Sequence, residues 1–239
     1  MAGVMDGLGE AGSRNPVYDL LQNQILSMEL LPQEMISENA LSAQLNVGRP
    51  LVRDALAQLA EEGYIVVYPQ RGTEVSLLDT RRIKQAVHAH MVLEQAVIRE
   101  ICSQGLLESQ FGQLEEVLKL QKEKDSKSDT IELLALEQQF HYLLSLFCGK
   151  SYIWNMFRTL DCDLLRVDYL RYSTFNYQVY MNSLTNWENT QVEERLLLDN
   201  IRRKESEAAT LIWTNHFSTV FRNVDALRGI YPQYFAREG

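Results

Sequence analysis

The hydrophobic and polar positions of the first eighty residues change from helical spacing to a pattern typical of strands. Apolar side chains recur every three or four positions over residues 16–28, 37–45 and 49–62, which predicts three helices. Residues 64–68 and 73–77 are rich in β-branched and aromatic side chains and flank a turn, which predicts a hairpin. Because the second and third helices are separated by only three residues, we interpret this region as a helix-turn-helix with a two-stranded wing.

Beyond residue 79 the pattern of apolar positions is helical throughout. It predicts helices over residues 80–104, 109–124, 129–147, 151–173, 187–203 and 205–228. We therefore expect a mainly α protein in which an N-terminal winged helix-turn-helix precedes a C-terminal antiparallel bundle of six or seven helices. The expected divisions are a flexible tail over residues 1–14, the winged domain over 15–78 and the helical domain over 79–235.

The composition is compatible with two modest domains and a sizeable core, since the chain has 239 residues of which 46% are hydrophobic. It contains neither a run of eighteen apolar residues nor a signal-peptide pattern, so we expect a cytoplasmic protein with no membrane partner. The three cysteines, Cys102, Cys148 and Cys162, are far apart, which predicts neither disulfides nor a cysteine-based zinc site.

The charge of the chain argues against a nucleic-acid partner, whereas the positions of its arginines argue for one. The net charge is −9, and over residues 15–77 three arginines stand against eight acidic residues. Arg49 and Arg53 nevertheless lie at the start of the third helix, where a recognition helix reads the major groove. If DNA is bound, few phosphates are neutralised per subunit, so binding should depend on a dimer. The alternative is a small domain whose arginines are merely solvated.

Residues 16–75, PVYDLLQNQILSMELLPQEMISENALSAQLNVGRPLVRDALAQLAEEGYIVVYPQRGTEV, resemble the winged-helix domain of GntR-family regulators along their whole length. In that family the recognition helix usually opens with Ser-Arg-Thr-Pro-Val-Arg-Glu-Ala-Leu. Arg49 and Arg53 match both arginines, whereas Gly48 and Pro50 replace the Ser and the Thr, which removes two hydroxyl contacts to phosphate. The resemblance implies binding to operator DNA with an altered operator preference.

Two further positions in this domain match DNA-contacting positions of the family. Arg71 and Gly72 match its wing tip, a basic residue followed by glycine, where the backbone approaches DNA closely. Asn39, on the second helix, stands where an arginine often contacts DNA in the family. We therefore add these three residues to the expected DNA-binding set.

The remaining helices resemble the FCD-type ligand-binding domain of the FadR subfamily, which implies a homodimer and often a metal ion inside the bundle. The Asp-x-x-x-His motif of the metal-binding members is matched by Glu137 and His141, and two later histidine positions fall on Glu194 and His216. Two carboxylates and two imidazoles suit zinc, nickel or manganese. The alternative is a polar effector pocket that binds its ligand without metal.

The resemblance also implies a small-molecule effector, and an organic acid could coordinate the metal while an arginine pairs with a second carboxylate. The candidate effector-binding residues are His90, near a position where relatives place an arginine, together with Arg166 and Arg171. We expect a transcriptional repressor controlled by a carboxylate-containing effector. The alternative from another class is a metal-dependent hydrolase that uses the Glu/His cluster, although the chain has no nucleophile or cofactor motif.

Overall fold

The computed structural model of the protein describes residues 15–125, 128–157, 159–173 and 185–237. The tail predicted over residues 1–14 lies outside this described part. Within it the chain forms an N-terminal winged helix-turn-helix and a C-terminal helical bundle, which confirms the predicted fold class.

The N-terminal part contains three helices and a small sheet. Its elements in chain order are α1 (Pro16–Leu26), β1 (Met35–Ile36), α2 (Glu38–Leu45), α3 (Arg49–Glu61), β2 (Ile65–Tyr68) and β3 (Gly72–Val75). Side chains cap two of the helices: Asn15 accepts a hydrogen bond from Val17 N at the start of α1, and Ser37 accepts one from Ala40 N at the start of α2. Apolar faces of α1 and α3 then pack together around residues such as Leu21, Val52 and Leu59.

The wing hairpin is present as predicted, and a third strand extends it. The sheet is antiparallel in the order β1-β3-β2, with Ile65 opposite Val75 in the hairpin and Met35 opposite Glu74 on the other edge. Strand β1 was not predicted because its two residues are too few to show a period of two.

The C-terminal part contains seven helices among the described residues, in agreement with the six or seven expected. They are α4 (Thr80–Gln104), α5 (Glu108–Lys122), α6 (Thr130–Phe147), α7 (Ser151–Phe157), α8 (Cys162–Ser173), α9 (Asn186–Arg202) and α10 (Ser206–Ile230). A short 3₁₀ turn over Pro232–Tyr234 follows α10. The long helices α4 and α10 pack against each other, and α10 also packs on α9, around a core that includes Leu114, Leu197 and Trp213.

The prediction of one continuous helix over residues 151–173 is wrong. Helix α7 ends at Phe157, and a tight turn in which Asp161 N donates to Phe157 O precedes the start of α8 at Cys162. The turn directs the Asp161 carboxylate onto the buried ring of His90, at 2.9 Å. Apolar spacing alone does not show this break, because a contact distant in sequence stabilises it.

In the part of the chain that the structure describes, none of the helices combines the length and the apolar character needed to cross a membrane.

Candidate functional sites

The predicted DNA-binding residues gather around a shallow groove of about 580 Å³ between the helix-turn-helix and the wing. Asn39 on α2, Arg49 and Arg53 on α3, and Gly72 on β3 all line it. Gly48, Pro50 and Arg71 do not line the groove, but all three are exposed beside it. We call this groove, with the three flanking residues, the DNA-binding groove after the role that the sequence predicts for it.

An acidic residue shares the floor of this groove with the two arginines. The Arg53 Nε donates to the Glu38 carboxylate, whose two oxygens lie 2.9 and 3.0 Å away. Hydrogen bonding to Glu38 raises the pKa of Arg53, which is charged in any case. Glu38 therefore engages the Nε of a guanidinium that, in a complex with DNA, would contact a guanine edge or a phosphate.

The wing tip requires a glycine for the conformation of its backbone. Gly72 has a φ of +113°, in the left-handed region that side chains disfavour, and a Cβ there would lie 2.6 Å from the Met35 Cε. The backbone N of the exposed Arg71 donates to Tyr68 O across the turn, which presents its side chain at the end of the hairpin. The tip thus combines a small profile with a cationic side chain.

A second candidate site lies inside the bundle, where five helices and the turn before α8 contribute polar side chains that are almost fully buried. We call it the polar cluster. Its members are His90, Glu94, Glu137, His141, Asp161, Asp168, Arg171, Tyr172, Glu194, Trp213 and His216.

Glu94 is the central acceptor of the polar cluster. Its carboxylate accepts from Trp213 Nε1 at 3.0 Å and faces Nδ1 of His141 at 2.7 Å and Nδ1 of His90 at 2.5 Å. Burial opposes ionisation of Glu94, but the two histidines outweigh it and hold the pKa well below its usual range. Glu94 is therefore a buried carboxylate that orients two imidazole rings.

His90 is enclosed by acceptors on both ring nitrogens. Its Nε2 lies 2.9 and 3.0 Å from the two carboxylate oxygens of Asp161, and its ring stacks on Phe157 at 3.7 Å. Burial lowers the pKa of His90, but Asp161 and Glu94 together raise it to about 10. His90 is consequently an imidazolium with both N–H groups engaged, rather than a free donor to an effector.

Glu137, His141 and His216 converge as potential metal ligands, since their ligand atoms lie within 4.8 Å of one another. His141 and His216 each face a carboxylate with Nδ1, namely Glu94 and Glu193, the latter at 3.0 Å. The other ring nitrogen of His216 lies 3.8 Å from Glu137 Oε1. A carboxylate behind an imidazole is the arrangement that orients histidine ligands of metals.

These three residues have atoms that are free to coordinate a cation. Within the described residues, His141 Nε2 and Glu137 Oε2 are buried and have no hydrogen-bond partner. Glu137 Oε1 accepts from the Tyr172 hydroxyl at 2.8 Å. Burial and the neighbouring Asp168 raise the pKa of Glu137, an effect that a bound cation would reverse. The donor set fits zinc, nickel or manganese.

The structure does not bring Glu194 into this group of three. Glu194 is fully buried, and neither carboxylate oxygen makes a hydrogen bond of good geometry within the described residues. Burial, and then the charge of Glu137, raise its pKa well above the usual range. Glu194 is thus a buried acid that stays outside the three converging ligands.

The two arginines expected to bind an effector lie in different places. Arg171 belongs to the polar cluster, where it pairs with Asp168, and its buried Nε has no hydrogen-bond partner in the described part of the chain. Burial lowers the pKa of Arg171, but Tyr172, Asp168 and Glu137 outweigh burial, so that the pKa lies above its usual value. Arg166 instead points to the end of the wing and donates to Ser76 O at 2.7 Å.

Sequence reasoning missed Glu94, Asp161 and Glu193, although each holds an imidazole in place. One local signal existed, because Glu94 follows His90 by four residues and so shares its helix face. Asp161 and Glu193 reach histidines that are distant in the chain, and the sequence carries no sign of those contacts.

The fold and the groove define a winged helix-turn-helix protein with an attached helical domain, and a protein-family model matches each of these two parts. Residues 14–75 match the bacterial regulatory proteins of the gntR family, and residues 85–219 match the FCD domain. The chain belongs to the gntR family of bacterial regulatory proteins, in the group that carries an FCD domain. It is a DNA-binding transcriptional regulator of the type controlled by an effector.

Curated relatives are similar over nearly their whole length. The HTH-type transcriptional repressor RspR of Escherichia coli K12 is 26% identical over 223 residues, which cover 93% of each chain. The Nta operon transcriptional regulator of Aminobacter aminovorans is 24% identical over 219 residues, 89% of this chain and 95% of the relative. Neither the family nor these relatives support the alternative of a hydrolase.

Solved structures share the fold. E. coli McbR/YncC matches with a TM-score of 0.68 and 19% identity over 90% of this chain and 96% of its own. A transcriptional regulator GntR from Rhodococcus sp. RHA1 matches with a TM-score of 0.69 and 18% identity, over 90% of this chain and 99% of its own.

Proposed function

We propose that the chain is a cytoplasmic, homodimeric repressor whose DNA-binding groove recognises an operator and whose polar cluster takes up the controlling ligand. The winged domain comprises residues 15–78 and the helical domain residues 79–235 in this proposal. The observation that carries it is the groove itself, because residues from α2, α3 and the wing meet there on one exposed face. In this proposal the chain is a regulator and not an enzyme.

Each groove residue has a part that suits its chemistry. Arg49 and Arg53, at the N-terminal end of α3, reach guanine edges or phosphates in the major groove, and Asn39 pairs with an adenine or a phosphate. Arg71 contacts the minor groove or the backbone, while Gly72 permits close approach. Gly48 and Pro50 contribute no hydroxyl, so the operator sequence should differ from that of relatives with Ser and Thr there.

A second copy of the chain is needed because one winged domain carries little positive charge. Three arginines cannot neutralise many phosphates against eight acidic residues of the same domain. A dimer presents two recognition helices to two half-sites, which doubles the contacts made by one subunit.

The double variant Arg49→Ala with Arg53→Ala tests the groove. We expect its affinity for the DNA upstream of its own gene to fall by about 100-fold or more, since each lost arginine contact is worth roughly 1–3 kcal/mol. Fluorescence anisotropy with a labelled fragment measures the effect. The matched control is Arg222→Ala, an arginine of α10 that contacts Thr219 in the helical domain. Unchanged specific binding in the double variant would refute the groove assignment.

The same proposal places a divalent cation, zinc, nickel or manganese, on Glu137, His141 and His216. The support is their convergence, the carboxylates that orient both imidazoles, and the unpartnered atoms His141 Nε2 and Glu137 Oε2. Glu194 is buried but does not converge with these three, so the proposed site has three protein ligands. When bound, the metal supplies a Lewis-acidic coordination position for an effector.

The effector in this proposal is an organic acid with at least one carboxylate. Arg171 is its second contact, because its buried guanidinium retains an unpartnered Nε and lies near Glu137. His90 takes part indirectly, by fixing Glu94 and so His141. Arg166 is not part of this effector site, because its guanidinium donates to Ser76 at the end of the wing.

Metal analysis of protein purified without chelator tests the cation site. We expect about one equivalent of metal per chain in the wild type and a loss of most of it in His141→Ala and in His216→Ala. His88→Ala is the matched control, since His88 is exposed on α4. Metal content below stoichiometry and equal in all four proteins would favour a metal-free effector pocket.

A further inference from the structure

The start of α8 contacts the winged domain through a buried arginine. Arg166 Nη1 donates to Ser76 O at 2.7 Å, and its Nη2 donates to Ser76 Oγ at 3.0 Å and pairs with Asp163. Arg166 and Asp163 are both fully buried. Ser76 directly follows strand β3, so a guanidinium of the helical domain holds the end of the wing.

Ser76 passes this contact on to the end of the recognition helix. Its hydroxyl donates to Gly63 O at 2.8 Å, and its backbone N donates to Tyr64 O at 3.0 Å. Gly63 and Tyr64 connect α3 to β2. Helix α3 and the wing, two of the elements that line the DNA-binding groove, are therefore connected to Arg166 through one serine.

A second arginine reinforces the junction from α4. Arg82 donates to Cys162 Sγ at 2.8 Å, and its Nε lies 3.4 Å from Asp163. Its guanidinium also packs on Gly63, where a Cβ would lie 2.4 Å from the nearest nitrogen. The Asp163 carboxylate thus serves two arginines that both contact the turn after α3 or its serine partner.

The same short segment touches the polar cluster from the other side. Asp161, two residues before Asp163, holds Nε2 of His90, and Phe157 stacks on the same ring. Glu94 then connects His90 to His141, one of the converging ligands. A displacement of His90 would therefore act on the first two turns of α8, which carry Asp163 and Arg166.

Burial of these ions is hard to explain by stability alone. Desolvation of an arginine and an aspartate offsets most of their attraction, and apolar side chains of similar size often stabilise a fold as well or better. Charged hydrogen bonds do fix an orientation, because the planar guanidinium donates in set directions and therefore favours one arrangement of its acceptors. The junction is thus built to define an orientation.

We propose that Asp161, Asp163 and Arg166 form an α8 link, a set of positioning residues that orients the winged domain and transmits changes in the polar cluster to the DNA-binding groove. The effect of a ligand on operator binding rests on the proposed function, because it requires that a ligand binds in the polar cluster. The mechanical connection between His90 and Ser76 does not.

Amide hydrogen exchange without any ligand tests the connection. In Asp161→Asn, which keeps the shape of the side chain but removes its charge, we expect exchange at the Tyr64 and Ser76 amides to accelerate about tenfold. Asp199→Asn, on an exposed residue of α9, is the matched control and should leave both amides unchanged. Faster exchange confined to α4 and α8, with Tyr64 and Ser76 as in the wild type, would overturn the link.

Operator binding of protein stripped of metal by chelator, with and without added Zn²⁺, tests the consequence for DNA, using Arg166→Lys and Arg166→Met beside the wild type. Calorimetric titration of Zn²⁺ on the same samples shows whether the metal binds. We expect unchanged zinc affinity in all three, a zinc-dependent shift in operator affinity in the wild type, less than a twofold shift in Arg166→Met, and an intermediate shift in Arg166→Lys. A zinc-dependent shift in the operator affinity of Arg166→Met as large as that of the wild type would overturn the link.

The two experiments separate failure of the link from failure of the proposed function. A wild type that binds no zinc removes the metal site, and the exchange experiment then decides on the link alone. If Arg166→Met does not fold, Arg166→Lys carries the operator test: a shift as large as that of the wild type counts against the link, and a reduced one supports it.

Discussion

The charged side chains of the DNA-binding groove are exposed to solvent, whereas those of the polar cluster are buried. In the groove, Arg49 and Arg53 are exposed and come from adjacent turns of one helix. In the polar cluster, charged residues from several helices are almost fully removed from water, and Glu94 contacts both His90 and His141. The comparison teaches that substitutions in the groove should change binding alone, whereas substitutions in the cluster should change the stability of the fold as well.

Glu94→Gln is expected to have the largest effect. Removal of the buried negative charge leaves His90 and His141 without their common anionic partner, so the free energy of unfolding should fall by about 3–5 kcal/mol. Urea denaturation followed by circular dichroism and tryptophan fluorescence measures it. Glu61→Gln, an exposed position on α3, is the control and should change stability by less than about 0.5 kcal/mol. Equal stability of the two variants would break the comparison.

The second prediction concerns pH. His90 has a pKa of about 10 in the folded protein, above the value of 6.5 expected when it is unfolded. Its contribution to stability is therefore complete below pH 6.5 and is lost as the pH rises towards 10, with a slope of at most about 1.4 kcal/mol per unit. Urea denaturation in the presence of chelator at several pH values should show this loss in the wild type and in His88→Gln. His90→Gln should show a smaller loss; part of it remains because burial lowers the pKa of His216 but Glu193 and Glu137 raise it above its usual value. An undiminished slope in His90→Gln would assign the whole loss to other groups.

The smallest effect is expected in the groove. Glu38→Gln frees Arg53 and removes an anion that faces the phosphates, so operator affinity should rise about two- to fivefold without a measurable change in stability. Anisotropy titrations at several salt concentrations measure the gain, which should shrink as salt increases. Glu61→Gln serves again as the control. Weaker operator binding in Glu38→Gln would mean that Glu38 positions Arg53 rather than competing for it.

Sequence reasoning was most successful where structure depends on neighbouring residues. The three helices and the hairpin of the winged domain follow from local periodicity, caps and turn residues, and Arg49 and Arg53 fall one turn apart for the same reason. The resemblance to the FCD type also picked out Glu137, His141 and His216, which the structure brings together.

The supporting contacts of the polar cluster could not be predicted in this way. Glu94 is 47 residues from His141, Asp161 is 71 from His90 and Glu193 is 23 from His216, so each pairing depends on how whole helices pack. The turn before α8 is similar, since residues 151–161 contain neither glycine nor proline to mark an end. Arg166 was misjudged for the same reason, because nothing local connects it to Ser76.

The two-residue strand β1 has a consequence for how distance along DNA is measured. Met35 and Ile36 pair with Glu74 and Thr73, which joins the segment leading into α2 to the wing by a backbone ladder. The wing is therefore joined to the helix-turn-helix by backbone pairing along its β3 edge, in addition to the chain connection from α3 through Gly63 and Tyr64. The distance between the DNA contacts of α3 and those of the wing tip is therefore fixed. The insertion of one base pair between the two contacted positions would move one of them out of reach.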